Sequence, residues 1–351
     1  KDNICVAGLP MMNGASTLEG YVPDMDATVV ERTLDAGAVV LGKAHCEYFC
    51  YSGSSHTNAV ATTRNPHNPD YTTGGSSSGC AALVASGAVD LAIGGDQGGS
   101  IREPAAFCGI YGMKPTWGLV PYTGAFPLEL TLDHLGPMTA NTADNALFLE
   151  VLAGPDGLDP RQYAPQAAEY TKALGQGVKG LKIGVVKEGF GHPSSESAVD
   201  DAVREAARVF GTLGATVEAI SIPMHRDGLA IWAPIAIEGV YEQVFRGDAM
   251  GHNWRGLYVT SLLEAHSAWR ERANMFPEIL KLGVLAADHL RQAYRGRYYA
   301  KAQNLSRALR AAYDHALADF DLLLMPTTPV KGVKLPGPGA SRAEQMAPGF
   351  E

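Results

Sequence analysis

Two short glycine-rich clusters in this chain carry serines in positions that suit nucleophilic chemistry. The first cluster is residues 74–79 (GGSSSG), and the second is residues 94–102 (GGDQGGSIR). Successive glycines allow backbone N–H groups to converge on one point, which suits either a phosphate or the oxyanion of an acyl-transfer reaction. The second cluster contains Asp96 and lacks the lysine of a phosphate loop. The pattern therefore favours an oxyanion hole with Ser100 as the nucleophile, and a phosphate- or nucleotide-binding module is the weaker, non-enzymatic alternative.

The first cluster also contains a G-x-S-x-G pattern, in which Ser77 stands between Gly75 and Gly79. That pattern marks the nucleophile elbow of α/β-hydrolases, where a strand must lead directly into the turn. The preceding residues 67–73 (HNPDYTT) are turn formers and do not predict a strand. A hydrolase elbow at Ser77 is therefore disfavoured.

A serine nucleophile needs a base that takes its proton. None of the 10 histidines lies inside either glycine cluster, whereas Lys43 closely follows the apolar residues 38–41 (AVVL). Loss of water at the end of a buried strand favours the neutral, basic form of an amine. The sequence therefore offers Lys43 as the base. The alternative is that Lys43 forms an ion pair with Asp96 or Glu47.

The residues around the clusters have helix and strand patterns. Residues 26–36 predict a helix capped by Asp26, followed by a short buried strand at residues 38–41. Residues 77–86 predict a helix of small residues, and residues 89–93 predict a buried strand that leads into the second cluster. The second cluster then lies at the carboxyl end of a strand, where open α/β sheets place their sites.

Farther along the chain, strand and helix patterns alternate. The predicted elements are a strand at residues 181–186, an amphipathic helix at 197–213, a strand at 216–222, helical residues at 284–319 and a strand at 321–325. Such alternation predicts an α/β fold with a largely parallel sheet. Residues 153–180 and 328–351 are rich in Gly, Pro and Ala, and they predict loops or lids.

Composition and charge exclude several classes of protein. The chain has 28 basic and 37 acidic residues, a net charge of −9, and no basic run. A nucleic-acid binder needs a basic face, so no nucleic-acid partner is expected. No apolar run approaches the ~18 residues of a membrane span, so no membrane partner is expected either.

The cysteines indicate a reducing compartment. Their number is odd for a disulfide framework, which predicts free thiols and a cytoplasmic location; they are Cys5, Cys46, Cys50, Cys80 and Cys108. A metal site at Cys46 and Cys50, with His45 adjacent, is disfavoured because no second ligand pair follows at a zinc spacing. No metal and no organic cofactor is expected.

A long segment of the chain strongly resembles a known family. Residues 72–120 (TTGGSSSGCAALVASGAVDLAIGGDQGGSIREPAAFCGIYGMKPTWGLV) are similar to the signature of the amidase signature family, and residues 1–4 (KDNI), 26–49 and 321–326 agree with it. The second cluster and residues 120–138 look most like amidases of nitrile-degrading bacteria.

The resemblance implies a fold. It is the α/β amidase-signature fold, with a mixed central β-sheet covered by helices on both faces. The implied domain is a single one over residues 1–351, with residues 155–320 as a helical or lid region around the pocket. Members of the family continue before the KDN segment and after the late strand, so the resemblance also implies a chain that is incomplete at both ends.

The resemblance further implies a Ser-cisSer-Lys triad. Carried over position by position, Lys43 is the base, Ser76 is the bridging serine after a cis peptide, and Ser100 is the nucleophile. The implied oxyanion hole consists of the backbone amides of Gln97, Gly98, Gly99 and Ser100. The chain departs from the usual pattern at Ser78, where the family has glycine, and at Glu103.

The activity that the resemblance implies is hydrolysis of a small aliphatic or aromatic carboxamide to a carboxylate and ammonia or an amine, through a serine acyl-enzyme in a homodimer. By the same likeness, Tyr122, Phe126 and Trp232 line an apolar acyl pocket; the alternative is that they are ordinary core aromatics. Two other activities stay open. One is hydrolysis of carbamates or anilides on the same fold, and the other is that of a glutaminase-type subunit of a tRNA-dependent amidotransferase.

Overall fold

The chain forms two compact units in a computed structural model that describes residues 1–349. The first unit holds Lys1–Lys172, Gly239–His289 and the residues from Gly332 onward, and the second holds Ala173–Glu238 and Leu290–Lys331. The last two residues of the predicted 1–351 domain lie outside the described residues. That the two units constitute a single domain stays a prediction.

The helices and strands follow one another through both units. In chain order they are α1 (Thr28–Asp35), α2 (Ser78–Ala85), β1 (Leu91–Asp96), α3 (Arg102–Cys108), β2 (Tyr111–Gly112), β3 (His134–Thr139), α4 (Thr142–Leu152), β4 (Lys182–Val186), α5 (Ser197–Thr212), β5 (Thr216–Ile220), α6 (Gly228–Val240), α7 (Thr260–Ser267), α8 (Glu278–Tyr294), α9 (Arg297–Leu317), β6 (Leu322–Leu324) and α10 (Arg342–Met346). The predicted α/β class is confirmed.

The sheet of the first unit is antiparallel and has the strand order β1-β3-β2. Strands β1 and β3 pair from Leu91 opposite Thr139 to Asp96 opposite His134. Glycine is required inside β1, because a Cβ at Gly94 would lie 2.7 Å from the sulfur of Met138. Strand β1 thus packs closely against its neighbours. This packing fixes the position of its last residues, which belong to the second glycine cluster.

The sheet of the second unit is parallel, with the strand order β5-β4-β6. The expectation of a largely parallel sheet is therefore correct for this unit and wrong for the first. The alternation of strand and helix patterns in the sequence does not predict β3. It therefore could not predict the antiparallel pairing of β1 with β3. Residues 155–320, expected to be a helical or lid region, include the strands β4 and β5 as well as helices; their role as a lid stays a prediction.

The core of the first unit contains a cluster of aromatic rings. Phe49 stacks on Phe126 with ring centroids 5.6 Å apart, and the edges of Phe245 and Phe276 meet the Phe49 ring. All four side chains are at most 4% exposed. Burial of one such ring stabilises the folded chain by about 2 kcal/mol, so this cluster is a main source of stability for the unit.

The local predictions around the glycine clusters agree with the structure except at one segment. Helices α1 and α2 and strand β1 lie where the sequence predicts them, within three residues at each end. Residues 38–41 form no strand, and Val39 and Leu41 are 78% and 75% exposed. The predicted buried strand is wrong because no strand among residues 1–349 pairs with this segment.

Among the helices of the described residues, none combines the length and the apolar composition that crossing a bilayer requires.

Candidate active site

The first glycine cluster leads into α2 through a cis peptide bond between Gly75 and Ser76, as the resemblance implies. Ser76 is fully buried, and its carbonyl accepts a hydrogen bond from the backbone N–H of Glu47 at 3.2 Å. A Cβ at Gly75 would lie 2.1 Å from the carbonyl oxygen of Ser54. The segment is therefore packed so closely that only glycine fits before Ser76.

The lysine that reaches Ser76 is Lys1. Its Nζ lies 2.8 Å from Ser76 Oγ and donates a second hydrogen bond to the carbonyl of Gly95 at 3.0 Å. The same carbonyl accepts from Ser77 Oγ at 3.1 Å. Because Gly95 belongs to β1, the end of this strand positions both the amine of Lys1 and the start of α2.

Lys43 lies elsewhere. Its Nζ donates to the carbonyl of Ile4 and pairs with the Asp2 carboxylate at 3.4 Å. The expectation that Lys43 contacts Ser76 is wrong, because residues 38–41 do not form the strand that would carry it there. The alternative of an ion pair is correct in kind, although the partner is Asp2 and not Asp96 or Glu47.

The sequence does contain a signal for Lys1. The KDNI segment is part of the family resemblance, although the resemblance assigns the base to a lysine in another segment. The two residues after Lys1 make internal contacts: Asp2 Oδ2 accepts from the backbone of Met12 at 3.0 Å, and the carbonyl of the fully buried Asn3 accepts from Phe126 N–H at 2.7 Å. Such contacts fix a lysine side chain at a buried site.

The second glycine cluster is organised around the Asp96 carboxylate, which is fully buried. It accepts hydrogen bonds from the backbone N–H groups of Gly99 and Ile101, at 2.8 and 3.1 Å, and two from the Arg102 guanidinium, both at 3.0 Å. Burial by itself raises the pKa of this carboxyl, but Arg102 and the two N–H groups hold the pKa well below its usual range. Asp96 is thus a charged anchor for the loop that follows β1.

The hydrogen bond from Gly99 changes the expected oxyanion hole. The Gly99 N–H already points at Asp96, so it supports the loop, and the prediction that it donates to an oxyanion is corrected. Within residues 1–349, no hydrogen bond engages the amides of Gly98 and Ser100. The side chain of Gln97 donates to Tyr122 Oη at 3.1 Å and to the Asp133 carboxyl at 3.0 Å, which fixes the other end of the loop.

Ser100 lies beside the first cluster. Its carbonyl accepts from the backbone N–H of Ser77 at 3.3 Å, and the residue is half-buried. The structure therefore brings Lys1, Ser76 and the Ser100 loop together, whereas Lys43 is absent from the group.

The predicted pocket aromatics of the first unit are core residues. The ring of Phe126 is fully buried and stacks on Phe49. Tyr122 is 4% exposed, and the guanidinium of Arg161 lies 4.9 Å from the centre of its ring. Trp232 lies on α6, in the second unit, and is 36% exposed. That the three line an acyl pocket stays a prediction, and Tyr122 has a clear second role as the hydrogen-bond partner of Gln97.

Replacing Asp96 with asparagine is expected to destabilise the first unit. Asp96→Asn keeps the shape but removes the charge that Arg102 and two backbone N–H groups face, which costs about 2 to 3 kcal/mol of the free energy of unfolding. Urea titration measures the loss. The matched control is Asp201→Asn, because Asp201 pairs with Arg204 on an exposed helix surface, where a pair contributes at most about 1 kcal/mol. Equal losses in the two variants would contradict the anchoring role.

Comparison with known proteins gives one consistent result. Residues 1–345 match the family described as Amidase. The chain is 50% identical over 341 residues to an enantioselective amidase of Rhodococcus rhodochrous, covering 96% of this chain and 65% of that enzyme. It is 37% identical over 348 residues to a glutamyl-tRNA(Gln) amidotransferase subunit of Synechococcus sp. (strain CC9902), covering 99% and 70% of the two chains.

Among solved structures, the chain resembles a bacterial aryl acylamidase of the amidase signature family. The TM-score is 0.79 at 27% sequence identity, and the match covers 96% of this chain and 66% of that one. The chain thus spans about two thirds of the length of the relatives that it matches.

Proposed function

We propose, since this chain belongs to the Amidase family, that it hydrolyses a small aliphatic or aromatic carboxamide through an acyl-enzyme formed on Ser100. The observation that carries the proposal is the 2.8 Å contact between Lys1 Nζ and Ser76 Oγ, at the end of a strand whose next loop presents Ser100. A buried amine beside one serine, with a second serine close by, is an arrangement that activates a hydroxyl nucleophile.

The proposed reaction moves protons along this row of residues. The amine of Lys1 takes the Ser76 hydroxyl proton, Ser76 takes the Ser100 proton, and Ser100 Oγ attacks the amide carbon. The C–N bond then breaks as Ser76 returns a proton to the leaving nitrogen. Water attacks the resulting ester by the same relay, which releases the carboxylate and regenerates the Ser100 hydroxyl. No metal and no organic cofactor takes part in this scheme.

The loop after β1 supplies the electrostatic part of the mechanism. We assign stabilisation of the tetrahedral oxyanion to backbone N–H groups of Gln97, Gly98 and Ser100, because Gly99 is bonded to Asp96. Donors already aimed at the place where charge develops lower the barrier without reorganising during the reaction. Removal of one such donor typically lowers kcat by about 100- to 1000-fold.

The comparisons bear on the class of substrate. The relative at 50% identity is an enantioselective amidase, which favours a carboxamide; the likeness to an aryl acylamidase keeps anilides and carbamates as the alternative. The cysteines bear on the location of the protein. All five are free and buried, which supports the proposal of a cytoplasmic enzyme. A homodimer stays a prediction from the family resemblance.

A second candidate function is that of a glutaminase-type subunit of a tRNA-dependent amidotransferase. The likeness at 37% identity to a glutamyl-tRNA(Gln) amidotransferase subunit favours it. This function predicts use of glutamine and dependence on partner subunits, whereas a free amidase acts alone.

A substrate panel separates these functions. The purified protein is offered benzamide, propionamide, p-nitroacetanilide, an aryl carbamate and glutamine, and release of ammonia or amine is measured. We expect the protein alone to hydrolyse benzamide or propionamide. Turnover of glutamine only would favour the amidotransferase function, and turnover of the anilide or carbamate only would favour the alternative hydrolase. Absence of all turnover, together with a lack of covalent labelling by a fluorophosphonate, would contradict the proposal.

A further inference from the structure

The side chain of Glu47 lies in the interior of the first unit, beside the first glycine cluster. It is fully buried, and its two carboxyl oxygens accept hydrogen bonds from three residues. Oε2 accepts from Ser54 Oγ at 3.1 Å and from the backbone N–H and Oγ1 of Thr57 at 2.9 and 2.6 Å, and Oε1 accepts from Ser78 Oγ at 3.4 Å. A buried network in which the acceptors are satisfied is rigid, so the Glu47 carboxyl group is held in one orientation.

Glu47 contacts the segment that carries Ser76 at three points. Its backbone N–H donates to the Ser76 carbonyl at 3.2 Å, and its carboxyl group accepts from Ser78, two residues farther on. Its stem lies against Gly75, where an added Cβ would be 3.0 Å from Glu47 Cγ. The same Cβ would be 2.1 Å from the carbonyl oxygen of Ser54, whose hydroxyl donates to Glu47. Residues 75–78 are therefore fixed by Glu47 and by a residue that Glu47 binds.

The position of this segment decides whether the proposed proton relay operates. Ser76 Oγ must stay within hydrogen-bond reach of Lys1 Nζ, which lies 2.8 Å away. The next residue, Ser77, donates its backbone N–H to the Ser100 carbonyl at 3.3 Å. Since a displacement of about 1 Å in a reacting group lowers a rate by about 100-fold, a residue that holds this backbone affects the reaction without touching the substrate.

We propose that Glu47 is a positioning residue that holds residues 75–78 so that Ser76 Oγ stays within reach of the Lys1 amine. Glu47 acts through hydrogen bonds and packing and takes no proton from the relay. The effect on catalysis rests on the proposed function, whereas the hold on the segment does not. Ser78, which stands where the family has glycine, adds a hydrogen bond to this hold.

Glu47→Leu and Glu47→Gln test the proposal as a pair. Leucine fills a similar volume but accepts no hydrogen bond, so the carboxyl contacts with the segment are lost. We expect kcat for the amide that the wild type hydrolyses to fall by about 100-fold in Glu47→Leu, with KM within about threefold of the wild-type value. Glutamine keeps one oxygen for Ser54 and Thr57 and has an N–H group that donates to Ser78 Oγ. Glu47→Gln should therefore keep kcat within about fivefold of the wild-type value.

The matched control is Glu150→Leu. Glu150 lies on α4 and accepts from the backbone N–H and Oγ1 of Thr171 at 2.6 and 2.8 Å, which are the same two donor groups that Thr57 gives to Glu47. Neither of these bonds involves a residue of either glycine cluster. We expect Glu150→Leu to lower the melting temperature and to leave kcat within about twofold of the wild-type value.

Amide hydrogen exchange gives a readout that needs no turnover. The backbone N–H groups of Ser77 and Gly79 donate to carbonyls of other segments, at 3.3 and 3.0 Å. If Glu47 holds the segment, both groups should exchange about tenfold faster or more in Glu47→Leu than in the wild type. Their exchange should be unchanged in Glu150→Leu. Mass spectrometry of peptides that contain residues 74–81 measures the rates, under conditions in which every variant is folded.

The outcomes separate the positioning role from a general loss of stability. A folded Glu47→Leu with the kcat or the exchange rates of the wild type would overturn the proposal, and so would an equal loss of kcat in Glu150→Leu. A loss in Glu47→Gln as large as that in Glu47→Leu would overturn the role of the hydrogen bonds. If the wild type hydrolyses no amide but exchange is faster in Glu47→Leu alone, the proposed function fails and the hold on the segment stands.

Ser78→Ala decides the matter if Glu47→Leu does not fold. Ser78 is the first residue of α2, where alanine suits a helix, so this variant removes one hydroxyl group and keeps the backbone. Loss of its hydrogen bond to Glu47 should lower kcat by about fivefold without changing KM. An unchanged kcat in Ser78→Ala would then overturn the proposal.

Discussion

Replacing Lys1 with methionine is expected to lower kcat/KM by about 1000-fold or more, whereas Lys43→Met is expected to leave it within about threefold of the wild-type value. Lys1 Nζ lies 2.8 Å from Ser76 Oγ, and Lys43 Nζ lies beside the Asp2 carboxylate. Methionine keeps an unbranched apolar stem at either position and lacks the terminal nitrogen. Of the two substitutions, only Lys1→Met removes the amine that lies beside Ser76 Oγ.

The measurement is kcat/KM for the amide that the wild type hydrolyses, taken well below the melting temperatures of both variants. Lys43→Met loses a partly buried ion pair with Asp2, so its melting temperature must be recorded alongside. Lys1→Arg adds a further test, because a guanidinium keeps the positive charge and cannot serve as a base; it should be as inactive as Lys1→Met. A large loss in Lys43→Met with an active Lys1→Met would reverse the assignment.

Replacing Ser100 with alanine is expected to lower kcat by about 10,000-fold or more and to abolish covalent labelling by a fluorophosphonate. The loss follows from our proposal that Ser100 Oγ is the atom that forms the acyl-enzyme, because a neighbouring group would not replace that atom. Ser100 is half-buried at the end of the glycine loop, where a single atom is removed without disturbing the hydrogen bond from Ser77 N–H to the Ser100 carbonyl at 3.3 Å.

Labelling is followed by mass spectrometry of the intact protein and of its peptides. The control is Ser86→Ala, at the end of α2, where the hydroxyl donates to the Leu83 carbonyl of its own helix; its activity and labelling should match the wild type. Labelled Ser100→Ala, or a label found on another residue in the wild type, would contradict the assignment of the nucleophile.

Much of the site can be predicted from short-range sequence features. The two glycine clusters, helix α2 and strand β1 are local patterns, and the structure has them where the sequence predicts them. The cis peptide before Ser76 is implied by the resemblance and is present. These features are accessible because each depends on residues within one short segment.

The base cannot be placed by the same reasoning, because its position depends on long-range packing. Lys43 follows an apolar run, but residues 38–41 form no strand, and Val39 and Leu41 are exposed. Lys1 reaches Ser76 because the carbonyl of Gly95, at the end of β1, receives its amine. An apolar segment is buried only when another part of the fold packs against it or pairs with it, and the segment's own sequence does not show whether that happens.

The surroundings of Glu103 are equally inaccessible from the sequence. Its departure from the family pattern is visible, yet the place of its carboxyl group depends on Gly53 and Gly99, which leave room for that group. Likewise, the resemblance implies Tyr122 as a pocket wall, and its hydrogen bond with Gln97 is visible only once the loop is seen in three dimensions.

The use of the Gly99 N–H by Asp96 has a thermodynamic consequence. A loop whose backbone is already tied to a buried carboxylate loses little conformational freedom when a ligand arrives. The conformational entropy of residues 97–100 is therefore lost once, when the chain folds, and not again in each catalytic cycle. Binding energy from the substrate then remains for the part of the reaction in which the carbonyl carbon becomes tetrahedral.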